Sequence, residues 1–502
     1  MAIICPIAYC LKHLPMVFNR RKKLDLDHVL IRFSDQSEDA WTIRNAVEGV
    51  QIFGGIGSGK SSGSGKTIAK SFLKNGFGGV VLCAKPDEKE SWIKYAKETR
   101  REDDLIIFEK GGEYEFNPFE YEMTRPGEGA GEIFNLSNLF MAIYKMGNRF
   151  SGSGDSNESE RYWDNALKRT MNQMLQLLKL AKEEISVANM KQLIISAPTE
   201  NEVENLSQLS DDDLFSWAEE NYCVECIIKA SQNITTLTEE EEYSDVHNFF
   251  MNQFANLPEK TKSTIIESFL GIAEPFSRGI LKDYFSKGTN LKPEVTHEGK
   301  IIILNFPVKE YLQAGVYAQG IFKLLWQQAA ERRNSNEDLL PIFIWVDEAQ
   351  LFLSDYDQVF QTTARSSRAC TVFISQNISN YYAVLGGTNP KPKIDSLLGN
   401  LNTKIFHCNN DAVTNQWASN TIGKEFISIR SEGKQKKQFG LLDDSKSVGY
   451  SQQLLPQVIP TEFTLLRSGG KPNNYKVQAI IQVNGRKWSE GKNYKRVIFS
   501  QQ

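Results

Sequence analysis

An α/β fold with a mainly parallel sheet and an inserted all-α subdomain is what this chain of 502 residues predicts. Three observations carry that expectation. A Gly-rich loop stands between a strand-like and a helix-like run, several short apolar runs end in polar residues, and a long stretch between them has helical periodicity. With 40% hydrophobic and 24% charged residues, the chain can build a core of about two to four domains without disulfide or metal staples. A disordered tail, a collagen-like chain and a small secreted scaffold are excluded.

Residues 1–45 read as an N-terminal extension. The opening eighteen residues are apolar but broken by Pro6, Lys12, His13 and Pro15, and the basic cluster Arg20–Lys23 follows them, the wrong order for a secretory signal. The run is also too short for the roughly 20 apolar residues of a spanning helix, and no later run reaches that length. The expectation is a cytoplasmic protein that reaches the inner membrane only peripherally, through partners. Seven cysteines, an odd number, favour a reducing compartment. Cys223 and Cys226 have His247 as their nearest further ligand and no second pair, which does not make a zinc site by spacing alone.

The first part of the core is placed at 46–150. Val50–Phe53 leads directly into Gly54-Gly-Ile-Gly-Ser-Gly-Lys60-Ser61, a match to G-x-x-x-x-G-K-[ST]. In such a loop Gly54, Gly57 and Gly59 let backbone N–H groups converge on phosphate oxygens, and Lys60 reaches the β- and γ-phosphates. Ser61 ligates Mg²⁺ at the helix start, with Ser62 beside it. A rival Gly65-Lys66-Thr67 follows, but five residues before Gly65 stands Lys60 where the pattern needs glycine. The helical run Ile68–Lys74, stopped by Gly76, and the strand Gly79–Ala84 complete a β-loop-α-β unit that binds ATP with Mg²⁺.

Residues 151–295 read as the helical insertion. Trp163, Ala166, Leu167, Met171, Met174, Leu175, Leu177 and Leu178 recur three and four apart, as on one helix face. Within it, residues 199–246 hold fourteen acids opposed only by Lys229. The formal charge of -4 therefore divides into this acidic insert and a remainder of +9, a balance compatible with nucleic acid.

The core resumes at 296–502. Pro341–Val346 is a buried-strand run ending in Asp347, placed to hold Mg²⁺, and Glu348, placed to polarise the water that attacks the γ-phosphate. Thr371–Ser375 ends in Gln376, a γ-phosphate sensor on the adjacent strand. Between them Arg365, preferred, and Arg368 are candidates for a finger reaching a neighbouring subunit's γ-phosphate. Lys434, Lys436 and Lys437 read as a basic mobile loop, and 464–470 and 475–481 as closing strands.

In order and spacing, these motifs resemble those of the TraG/TraD-like conjugative coupling ATPases of type IV secretion, within the HerA/FtsK-type motors. The likeness runs over roughly residues 40–490. It includes Lys85-Pro86-Asp87-Glu88, Phe116-Asn117-Pro118-Phe119, the strand after Lys300, and Asn400–Phe406 with Asp411 and Thr414. It implies a RecA-like P-loop ATPase that forms a homo-oligomeric, usually hexameric ring, moves DNA with little regard to sequence, and meets relaxase or channel proteins. Members usually carry N-terminal membrane helices, which these runs do not supply. A HerA-like translocase partnered with a nuclease, and an ATP-switched scaffold recruiting protein substrates, are the alternatives.

Overall fold

The computed structural model describes residues 24–150, 158–205, 216–217, 220–334, 339–385, 390–435 and 445–502. Cys5, Cys10, Lys436, Lys437 and parts of the N-terminal extension and acidic stretch lie outside these residues. The strands are β1 (Val29–Arg32), β2 (Ala40–Thr42), β3 (Val50–Phe53), β4 (Gly78–Leu82), β5 (Leu105–Glu109), β6 (Ile301–Asn305) and β7 (Ile342–Val346). They continue with β8 (Ala369–Ser375), β9 (Thr403–Phe406), β10 (Lys424–Gln435), β11 (Ser445–Pro456), β12 (Lys476–Val483) and β13 (Tyr494–Ser500).

Nine of these form one sheet, in the order β13-β12-β9-β3-β8-β7-β4-β6-β5. From β9 to β5 every neighbouring pair is parallel, while β12 runs antiparallel to both β9 and β13. The α/β, mainly parallel, RecA-like class is therefore the observed one.

Continuous apolar runs form the central strands because both faces of the sheet are covered. Alternate residues divide between two cores. Val80, Leu82, Ile302, Leu304, Ile342, Ile344 and Val346 pack on one side, under the helices Ile133–Phe150, Glu158–Leu180 and Val308–Glu331. Val81, Ile301, Ile303, Phe343 and Trp345 pack on the other, with Ile68, Phe72 and Leu73 of the helix Lys66–Lys74 and Trp92 of the helix Asp87–Thr99. Gly79 lets β4 lie against β7, since a Cβ there would meet Phe343 O at 2.4 Å.

Between β5 and β6 the chain is helical, from Pro118–Thr124 to Gly279–Phe285. The Leu/Met stripe is core: Leu167, Met171, Met174, Leu175, Leu177 and Leu178 are buried, with Trp163 and Ala166 packed against them. Cys223 and Cys226 lie buried on the helix Tyr222–Asn233, and no cluster of potential metal ligands occurs among the described residues. No helix among them is long and apolar enough to cross a membrane.

Two expectations for the C-terminal region are corrected. Lys434 lies in β10, which pairs with β11 from Lys424↔Pro456 to Gln435↔Ser445 as a long hairpin outside the main sheet. Residues 464–470 form no strand; the chain there leaves a 3₁₀ turn at Pro460–Thr464 and runs irregularly to a second turn at Lys471–Asn473.

Candidate nucleotide site

Strand order decides which side chains meet. β8 separates β3 from β7, and β7 is followed by β4, so the ends of four parallel strands open on one edge of the sheet. β3 runs into Gly54, β8 into Gln376, β7 into Asp347 and Glu348, and β4 into the turn before Lys85. Ligands of open parallel sheets collect at such carboxyl ends.

After β3 the loop turns through Gly57 and Gly59, at φ +72° and +82°, conformations that L side chains rarely adopt. At Gly59 a Cβ would also meet Val477 at 2.6 Å. A helix starts at Lys60, its first turns π-like over Lys60–Gly65 before the α-helix Lys66–Lys74. Lys60 is therefore at the helix mouth and buried. Lys66 is a turn and a half further on, where its Nζ donates to Gln501 O at 3.1 Å. Ser62 is exposed and accepts from Gln501 Nε2 at 2.6 Å, so it faces the C-terminal segment.

Ser61 Oγ donates to Asp347 Oδ2 at 2.6 Å, joining residues 286 apart in sequence. A hydroxyl and a carboxylate at this distance form a hard-oxygen pair of the kind Mg²⁺ takes alongside phosphate oxygens. Inside the loop Ser58 Oγ is buried without a hydrogen-bond partner, and a Cβ at Gly54 would come within 2.4 Å of it. A phosphate in the loop would satisfy that hydroxyl. The residues present thus fit a Mg²⁺-nucleotide.

Glu348 sits at φ 50°, ψ 49°, a left-handed conformation that is strained for a residue with a Cβ. Its Oε1 accepts from Lys85 Nζ at 2.8 Å and its Oε2 from Gln350 Nε2 at 2.9 Å. Gln350 in turn accepts from Ser375 Oγ at 2.8 Å, at the end of β8. Burial pushes the Glu348 carboxyl up, but the Lys85 ammonium and Gln350 amide, with Lys60 nearby, outweigh it and hold its pKa below the ordinary value. Gln376 lines a cavity of about 300 Å³ together with Gly55, Ile56, Ser58, Asn409 and Asp411.

Arg365 and Arg368 do not join this cluster. They precede β8 while Gln376 follows it, which places them about 20–25 Å away at about 3.3 Å per strand residue. Arg365 is exposed, with Glu48 Oε1 at 3.5 Å from its guanidinium. Arg368 donates to the carbonyls of Leu24 and Leu339 at 2.9 and 3.0 Å, and is held in place by them.

Residues 341–463, which span β7 to β11 and carry Asp347, Glu348, Arg365 and Gln376, match the family described as the TraM recognition site of TraD and TraG. The fold matches the bacterial conjugative coupling protein TrwBdeltaN70 in its unbound form, with a TM-score of 0.57 at 12% identity over 96% of this chain and 91% of that one. Residues 341–463 are thus similar in sequence to TraD and TraG, and the chain shares its fold with a coupling protein. Plasmid coupling protein TrwB in complex with the non-hydrolysable ATP analogue ADPNP gives 0.56 at 12% identity over 94% and 91%. TrwB with ADP and Mg²⁺ gives 0.53 at 11% over 94% and 90%. No curated protein matches the chain.

Three further residues of this site have no role assigned by the sequence motifs. Lys85 and Glu88 were visible only as part of a strand-end motif. Glu88 accepts from Ala84 N at 3.1 Å, and burial, reinforced by the charge of Asp347, raises its pKa well above the ordinary value. His407 is fully buried behind the loop, with Nε2 at 2.7 Å from Ser64 Oγ, and burial together with Lys60 pushes its pKa down to about 3. The signal that would have found Lys85 is strand order, since β4 adjoins β7 and both end at the same edge.

Proposed function

We propose that the chain is an ATP-hydrolysing motor of the conjugative coupling type, acting on DNA as a homo-oligomeric ring. The observation that carries this reading is the 2.6 Å contact of Ser61 with Asp347, made across the β3-β8-β7 order with Glu348 next in the chain. Ser61 and Asp347 would hold Mg²⁺, which screens the phosphate charge. Lys60 and the loop N–H groups bind and orient the β- and γ-phosphates, and Gln376 contacts the γ-phosphate from β8. Glu348 takes a proton from the attacking water. Arg365 acts on a neighbouring subunit's nucleotide, and DNA is held through its backbone, largely independent of sequence.

The test is ATP turnover of the purified protein with and without single- and double-stranded DNA at several salt concentrations. Stimulation by DNA is expected, and turnover that never responds to DNA refutes the motor in favour of a nucleotide-switched scaffold. Glu348→Gln should keep ATP binding and lose turnover by about 10²–10⁴-fold, the usual range for a general base. Equal loss of binding and turnover refutes its assignment as the base.

A further inference from the structure

We propose that Lys85 is a latch on Glu348, holding the base in a resting position that must be released before water can be activated; this rests on the reading of Glu348 given above. Lys85 Nζ lies 2.8 Å from Glu348 Oε1, while Gln350 Nε2 engages Oε2 at 2.9 Å. Each carboxylate oxygen therefore already faces a donor, and the ammonium on Oε1 takes one of its acceptor sites and lowers the basicity of the carboxylate toward a water proton. Such charge-assisted contacts are the strong ones. The carboxylate follows β7 by two residues and the lysine follows β4 by three, so a small displacement between two neighbouring strand ends opens or closes the contact.

The strand end that carries Lys85 is tied to a mechanical element. Cys83 N donates to Gln319 Oε1 at 2.7 Å, and Gln319 Nε2 donates to Cys83 O at 2.9 Å and Phe306 O at 2.7 Å. Lys309 N donates to Ala84 O at 3.3 Å, one residue before Lys85. Lys309 and Gln319 both belong to the helix Val308–Glu331, on either side of a kink at Leu312, which has φ 50°, ψ -128° and is 70% exposed. A load on that exposed, strained kink passes to Ala84 and Lys85 through these hydrogen bonds. In this proposal the trigger that releases the latch is DNA, acting as a load on this helix.

A purely stabilising role for the ion pair is the competing account. Lys85 is 31% exposed on its side chain, so its replacement leaves the core intact. The experiment compares steady-state ATP turnover and KM of wild type, Lys85→Met, Lys85→Arg and Glu348→Gln, each with and without DNA. Lys85→Met should raise DNA-free turnover by about tenfold, as expected for releasing about one charge-assisted hydrogen bond, and bring the ratio of stimulated to basal turnover toward one. Its KM for ATP should stay within about twofold, as uniform binding is untouched. Lys85→Arg, which keeps the cation, should retain the wild-type ratio. A Lys85→Met protein whose basal and stimulated rates fall together, or whose DNA-free rate does not rise, overturns the latch. If wild type is not stimulated by DNA yet Lys85→Met still accelerates, the latch stands and DNA is not its trigger. If Glu348→Gln turns over normally, the base assignment fails and the latch fails with it.

Discussion

Lowering the pH should destabilise this protein through one buried histidine before its carboxylates are titrated. His407 follows β9 directly and is fully buried, with one ring nitrogen against Ser64 Oγ and the other, Nδ1, without a hydrogen-bond partner. Charging that ring beside Lys60 in a dry site is unfavourable, which places its pKa at about 3 instead of 6.5. In the unfolded chain the imidazole takes up its proton as pH falls below about 6.5, while the folded chain takes it up only near about 3. The unfolded state therefore binds more protons across that window, and stability falls with pH through it. Linkage gives about 2 kcal/mol lost between about pH 7.5 and about pH 5, and about 5 kcal/mol for the full displacement. The perturbation is His407→Gln, which keeps a polar partner for Ser64 and cannot titrate. Urea unfolding of both proteins at the two pH values reads the difference, since carboxylates contribute alike to each. Wild type should lose about 2 kcal/mol more than the variant. Equal pH slopes would show that His407 is accessible to protons in the folded state and refute the reasoning.

The remaining predictions concern five basic residues. Lys60→Ala should lower ATP turnover by about 10²–10³-fold, the scale of removing one preorganised donor, whereas Lys66→Ala, which loses only its contact with Gln501 O, should stay within about threefold; the opposite ranking in a turnover assay would move the site to the second lysine. Arg365→Ala should abolish turnover while leaving nucleotide binding intact, and mixing it with Glu348→Gln subunits should restore part of the rate, because each supplies what the other lacks; no recovery in the mixture counts against action across subunits. Arg368→Ala should instead lower the unfolding midpoint, since Leu24 and Leu339 carbonyls lose their donor. Lys404 is buried on β9 with its pKa pulled down to about 8 by desolvation, so the unfolded chain holds more protons between about pH 8 and about pH 10.5 and stability rises across that window. Lys404→Met should therefore be more stable at pH 7 by up to about 3 kcal/mol, with the gain vanishing as pH rises through the window in the same urea assay.

How much of the fold was legible follows from what each strand touches. The runs at β3, β4, β6, β7 and β8 are buried on both faces, so their residues are apolar in succession and stand out in the sequence. Edge strand β13 alternates buried and exposed residues and does not stand out. The β10–β11 hairpin is harder still: Phe426, Tyr450 and Leu454 are exposed, so no buried face imprints a pattern on it. In the helix Val308–Glu331 the polar residues Gln319, Lys323 and Gln327 lie in the interior. Gln319 clamps the end of β4, while Lys323 and Gln327 bond Asp357 at 2.5 and 2.8 Å. Their meaning depends on what is packed opposite, which spacing along the chain does not encode.

The site divides along the same physical line. Ser61 and Asp347 could be placed because each sits at a fixed offset from an apolar strand, and a parallel sheet brings such strand ends to one edge whatever the distance between them in sequence. Lys85, Glu88 and His407 depend on which strand neighbours which. The strand order also explains why the arginines stand apart. β8 carries Arg365 and Arg368 before its first residue and Gln376 after its last, so one strand connects the face that would read this subunit's own phosphate to the opposite edge of the sheet. On the function proposed above, that strand is a rigid, fully buried strut: a shift of Gln376 on hydrolysis is transmitted along β8 to Arg365, and from there to the next nucleotide in the ring. Substitutions in β8 that preserve the fold, such as Val372→Ala, would then loosen the coupling between neighbouring sites while leaving the chemistry of each intact.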